Sequence, residues 1–134
     1  MLLWGLMRLL GKKEADMFVK KYTDIIEEPV TVEGAQGAHI RWLISENDDV
    51  PNFAMRRFRI EKGGFTPHHN HNYEHEVFVL EGEGVAVSDE GERPMAAGSF
   101  IYVGPNEMHQ FKNTGAGELV FLCMIPIIKK KNNC

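Results

Sequence analysis

The stretch His68-His69-Asn70-His71-Asn72-Tyr73-Glu74-His75-Glu76 decides how this chain is read, because it holds four of the six histidines within eight residues. Side chains alternate faces along a β-strand, so His69, His71 and His75 share one parity and His68 points the other way. A straight strand would set His75 about 20 Å from His69 at roughly 3.3 Å per residue, too far for one ion. The chain is therefore predicted to turn at Asn72-Tyr73-Glu74. His69 and His71 then close one strand, and His75 opens an antiparallel one running from Glu76 to Leu80. That fold-back brings three imidazoles together. An HxH pair alone is a weak motif, as compatible with a surface strand as with a metal site, and the third histidine is what shifts the balance. An internal run followed by a good strand is not a purification tag. Cys123 and Cys134 lack the paired CxxC spacing of a zinc finger.

The wider spacing resembles a known pattern. Gly63, five residues, His69-x-His71, three residues, His75, six residues and Gly82 is similar to the first motif of the cupin superfamily, with histidine where most members carry glutamate. Gly98, five residues, Gly104, then Asn106, His109 and, after three more, Asn113 is similar to the second. This copy departs from the family at Gly104, where proline is usual and Pro105 is shifted by one, and at Asn106, where glycine is usual. Asn is the next residue after Gly to accept a positive φ. The resemblance spans about residues 50 to 126 and implies an all-β fold, the double-stranded β-helix or jelly-roll cupin barrel. It looks closest to compact single-domain cupins whose metal is held by four histidines, some of them manganese-binding. By that resemblance His69, His71, His75 and His109 ligate one divalent transition metal. Mn is favoured, and Fe, Cu, Ni and Zn stay open because imidazole suits them all.

The chain as a whole fits one domain: 134 residues with a net charge of -4 and no basic face for nucleic acid. Two cysteines make no disulfide framework, and Cys123 lies in the apolar run Leu119 to Ile125, so a buried free thiol and a cytoplasmic location are expected. The apolar Met1 to Leu10 is too short to span a bilayer, which takes about 20 apolar residues. It reads as a disordered or helical extension, residues 1–16, ahead of a domain over 17–128 and a basic tail over 129–134.

Strands are expected at Val30 to Glu33, His39 to Ile44, Phe53 to Ile60, Glu76 to Leu80, Gly84 to Ser88, Pro94 to Ala96, Phe100 to Val103, His109 to Lys112 and Leu119 to Met124. Between Phe53 and Ile60 the drier face carries Ala54, Arg56, Phe58 and Ile60. Arg56 is then a cation on an apolar inner surface, to be matched by an anionic substrate group or by Glu74 or Glu76, unless the strand twists and sets it at the rim. Phe121, Cys123 and Ile125 share a face, and Phe111 shares parity with His109. With Arg56 and Phe58, these residues are implied to line the space around the metal. Glu74 and Glu76 are expected to face away from the ion, His39 to be a surface or half-buried strand residue, and His68 to point outward.

Four neutral imidazoles leave an ion its full charge and favour its lower oxidation state relative to a site with a carboxylate. An octahedral ion so held keeps two positions for water, dioxygen or a chelating substrate. The expected function is a metal-dependent oxidoreductase of dioxygenase type acting on a small enol, phenol or diketone-like substrate. The alternative is a non-catalytic module that binds a small ligand or uses the ion to close the barrel. An isomerase or epimerase fits less well, since such cupins usually keep the glutamate or use no metal. Metal loss is expected as pH falls through about 6.5, where free histidine protonates. The family resemblance also implies a homodimer.

Overall fold

The computed structural model describes residues 14–127. Nine strands follow one another: β1 Glu28–Pro29, β2 Gln36–Ile44, β3 Phe53–Phe65, β4 His75–Glu81, β5 Glu83–Ser88, β6 Gly91–Ala96, β7 Phe100–Val103, β8 Gln110–Asn113 and β9 Leu119–Pro126. All pairings are antiparallel, in the order β6-β5-β8-β3-β9-β4-β7, with β2 added on β3 and β1 on β2. Long β3 joins the two halves, because Phe53 to Ile60 pair with β9 whereas Phe65 pairs with β8. The sheet curls into a nearly closed jelly-roll barrel whose main path ends at β6 and β7.

The core follows from the period of two. Ala54, Arg56, Phe58 and Ile60 are buried along β3, and the residues between them are not. Leu119, Phe121, Cys123 and Ile125 are buried on β9, where Val120 is buried as well, and His75, Val77 and Val79 alternate with exposed residues on β4. Phe121 stacks on Phe58 and tilts against Phe111, both at 5.2 Å between centroids. This aromatic triad fills the barrel beneath the histidines and excludes water from that side.

Two motif positions show why their residues are needed. Gly82 has φ +90°, and a Cβ there would strike the carbonyl of Glu118, so only glycine passes between β4 and β5. Asn106 adopts φ 64°, the left-handed conformation expected where the family carries glycine. Buried Asn113 ends the second motif as a latch. Its Nδ2 donates to the carbonyls of Ile60 (2.9 Å) and Gly117 (2.8 Å), and its Oδ1 accepts from the Gly115 amide at 3.0 Å.

Some expectations need correction. Val30 to Glu33 form no strand; the ladder uses Glu28 and Pro29 instead. β2 starts at Gln36, three residues before the expected His39, and β3 runs five residues past Ile60. Single-turn 3₁₀ segments occupy Tyr22–Asp24 and Glu46–Asp48. The arm before β1 is tied down by the Ala15 amide donating to the Asp49 carbonyl at 3.0 Å and by Arg59 donating to Glu27 at 2.7 and 3.0 Å. Most of the expected extension and all of the basic tail lie outside the described residues. Among those described, no helix is long and apolar enough to cross a membrane.

Candidate metal centre

The predicted fold-back brings the histidines together. His69 and His109 form an isolated antiparallel bridge, each amide donating to the other's carbonyl at 3.1 and 2.9 Å. The carbonyl of His71 accepts from the Asn106 amide at 2.6 Å. His75 opens β4 after the turn. Ring centroids lie 4.4 Å apart for His69 and His71, 5.0 Å for His69 and His109, 4.7 Å for His75 and His109, and 5.4 Å for His71 and His75. Two imidazoles sharing an ion at about 2.1 Å from each nitrogen would have centroids roughly 4.5–5.2 Å apart at right-angle to tetrahedral bond angles. The spacing of the rings therefore suits a common ion. Among the described residues, however, no three His, Cys, Asp or Glu side chains are set to hold an ion as they stand, so sharing one requires the rings to turn about their side-chain bonds.

Protonation is arranged for ligation. Burial first, then the neighbouring His71, His109 and Arg56, lowers the His69 pKa to about 4. Burial and Arg56 push His75 down to about 2. His109 is also lowered, chiefly by burial, against the opposing hydrogen bond from its Nδ1–H to the Glu107 carbonyl at 2.9 Å. That bond leaves its Nε2 with a free lone pair, as a ligand needs. Buried His75 Nε2 has no hydrogen-bond partner among the described residues.

Arg56 lies inside the barrel at 1% exposure, not at the rim. Of the two carboxylates expected to match it, Glu74 accepts from the Tyr102 hydroxyl at 2.8 Å and Glu76 is exposed. Arg56 donates to Cys123 Sγ at 2.8 Å, approaches His75 Nδ1 at 3.3 Å and packs over the rings of Trp42 and Phe58. Arginine only donates, so its contact with Nδ1 is a bond only in the tautomer with the proton on Nε2. Cys123 Sγ, 3.6 Å from Nδ1, accepts from the opposite tautomer, which frees Nε2 to ligate. Burial pushes the Cys123 thiol pKa up, partly offset by Arg56.

The expected pocket residues Arg56, Phe58, Phe111, Phe121 and Cys123 do line a cavity with the histidines, but its volume is about 10 Å³, the room of a single water. Ile125 is buried in the core without lining it. The roomier space, about 190 Å³, lies on the opposite wall between Ala86, Arg93, Ile101 and Val103, with His109 and Phe111 shared. Sequence reasoning missed this wall, although Ala86 pairs with Phe111 and so inherits its inward parity. It also missed Tyr73, whose ring stacks on His71 at 4.8 Å, and Thr66, whose hydroxyl accepts from the Phe111 amide at 2.9 Å. His68 is exposed as expected, and half-buried His39 meets Glu61 at 2.6 Å.

Fold and site together define a small jelly-roll protein built around an interior histidine cluster. The family described as Cupin domain matches residues 56–125, and the chain belongs to it. It is 28% identical over 122 residues to the oxalate-binding protein of Thermotoga maritima, covering 87% of this chain and 99% of that protein. Among solved structures, the polyketide cyclase RemF from Streptomyces resistomycificus is 30% identical with a TM-score of 0.80, over 89% of this chain and 87% of that one. A predicted oxalate decarboxylase from Thermotoga maritima is 25% identical with a TM-score of 0.74, over 83% and 100% respectively.

Proposed function

We propose that His69, His71, His75 and His109 hold one divalent transition metal, manganese by preference, and that the protein is a metal-dependent oxidoreductase of dioxygenase type acting on a small chelating organic substrate. The observation that carries this reading is the cluster of imidazoles, those of His69, His75 and His109 held neutral by burial, beside a cavity of about 190 Å³. Neutral imidazole is the ligating form, and it suits redox-active ions. When bound, such an ion supplies a Lewis acid and an electron path between a chelated substrate and an oxidant.

The chain's own residues do the rest. The Glu107 carbonyl fixes the proton of His109 on Nδ1. Cys123 offers His75 the acceptor that favours the ligating tautomer. Phe58, Phe111 and Phe121 keep water from the inner side, and Arg56 sets a permanent positive charge beside the cluster, which favours an anionic donor group on the substrate. Binding without catalysis is the second reading, favoured by the likeness to an oxalate-binding protein. Oxygen uptake separates the two. Manganese-, iron- or copper-loaded protein is mixed with a panel of enols, catechols and small dicarboxylates. Uptake that needs both metal and substrate supports the oxidoreductase; tight binding with no uptake or product supports the binder.

The homodimer and the cytoplasmic location belong to this proposal. Phe100 and Tyr102, 83% and 60% exposed on edge strand β7, offer a surface for a second copy, which sedimentation tests. The buried free thiol of Cys123 fits a reducing compartment.

A further inference from the structure

The wall opposite Arg56 carries a cation that the chemistry above leaves unused. On β6, Arg93 shares parity with Met95, which is 3% exposed in the core. Arg93 faces the same way two residues nearer the barrel mouth, where it lines the larger cavity and is exposed. Ala86 lies opposite both Arg93 and Phe111, and His109 is two residues before Phe111. At about 4.8 Å between strands and roughly 3.3 Å per residue, the Cα atoms of Arg93 and His109 are about 12 Å apart. Both side chains leave the same face of the sheet, so guanidinium and imidazole stand side by side at about that separation, with space for one ring between them.

The surroundings favour a ligand over an internal partner. Among the described residues the Arg93 side chain makes no hydrogen bond or ion pair. Two carboxylates share the cavity. Glu107 Oε1 accepts from the Gly104 amide at 2.9 Å, and Glu90 sits in the β5–β6 turn, where its amide donates to Ser88 Oγ at 3.2 Å. Between the cation and the histidines the wall is apolar, formed by Ile101, Val103 and Phe111. A cavity of about 190 Å³ is many times the single-water space of about 10 Å³ beside Arg56, more than a chelating head group alone requires.

We propose that Arg93 is a specificity-determining residue that receives the far carboxylate of a planar, single-ring substrate whose other end chelates at the histidine cluster. This rests on the metal-centre reading above and narrows its substrate class to chelating ring compounds with a remote anionic group. A guanidinium meets a carboxylate bidentately, so the recognition is directional as well as electrostatic.

Catechol and 3,4-dihydroxybenzoate are suitable probes, since they share a chelating head and differ in one carboxylate. Binding of each to manganese-loaded protein, measured calorimetrically without oxygen, is compared between the parent chain and Arg93→Gln. Because the carboxylate also alters the chelating head, the ratio of the two affinities is the quantity read. The parent should prefer dihydroxybenzoate by about tenfold more than Arg93→Gln does, the worth of one charge-assisted contact at a partly solvated site. Arg93→Lys should recover part of the difference, and metal stoichiometry and catechol affinity should be the same in all three proteins. An unchanged ratio in Arg93→Gln overturns the assignment of Arg93 while leaving the metal centre standing. Failure of the parent to take up manganese, or of catechol to bind loaded protein, overturns the metal-centre reading and this proposal with it.

Discussion

Replacing Asn113 by alanine removes a side chain that makes three hydrogen bonds from a buried position, two donated to the Ile60 and Gly117 carbonyls and one accepted from the Gly115 amide. Asn113 is 5% exposed, so water cannot freely replace it. At a net value near 1 kcal/mol per bond, the loss should be about 3 kcal/mol, with the buried Ile60 carbonyl left short of a donor. For a domain of this size, about 4 °C of midpoint per kcal/mol gives a fall in Tm of about 12 °C. Asn113→Asp keeps the acceptor but loses both donations and places a charge in the core, so it should be at least as damaging. The assay is thermal and urea denaturation of metal-free protein, with the urea slope unchanged if the native fold is retained. A fall of less than about 3 °C for Asn113→Ala would refute the reasoning, because it would assign the latch less than one hydrogen bond.

Phe121→Ala should cost about 3–5 kcal/mol in urea denaturation, because the ring is 1% exposed and packed between Phe58 and Phe111; a loss below about 1 kcal/mol would mean that the aromatic triad is not a packed core. The folded His69, His75 and His109 pKa values lie below the unfolded value of 6.5. Between pH 6.5 and about 4 the unfolded chain therefore binds protons that the folded chain does not, and metal-free protein should lose stability as pH falls through that window. A Tm that stays flat from pH 7 to 5, above the carboxylate range, would count against neutral buried histidines. The same shifts move the expected loss of metal from folded protein below pH 6.5, toward the about 4 at which His69 protonates. Cys123→Ala should weaken metal binding by about tenfold by removing the acceptor of the ligating His75 tautomer, and Cys123→Ser should retain it; equal affinities in titration calorimetry would remove Cys123 from that role.

The residues that turned out easiest to read were those governed by local rules. The spacing from His69 to His75 forced a turn, and the period of two placed Arg56, Phe58, Phe121 and Cys123 on the buried side. What lay outside the sequence depended on register between distant strands. Arg56 faces Cys123 because β3 and β9 place them directly opposite each other, a pairing that no local pattern encodes. Arg93 enters the larger cavity through Ala86, which pairs with Phe111 across one ladder and with Arg93 across the next. Val30 to Glu33 carried a β-forming composition, yet the ladder to β2 closes at Pro29, so tertiary pairing overrode local propensity. A pocket predicted from parity alone thus fell on the packed wall, and the open wall emerged only once the strands were in register.

The central claim is that these four imidazoles hold one ion open to exogenous ligands. Elemental analysis of protein purified without a polyhistidine tag, with the electron paramagnetic resonance spectrum of the same sample, tests it most directly. The account predicts about one equivalent of manganese, iron or copper per chain, a signal that azide perturbs, and loss of both metal and signal in folded His109→Ala. Metal that dialyses away from the parent, or the same metal and spectrum in His109→Ala, would contradict it.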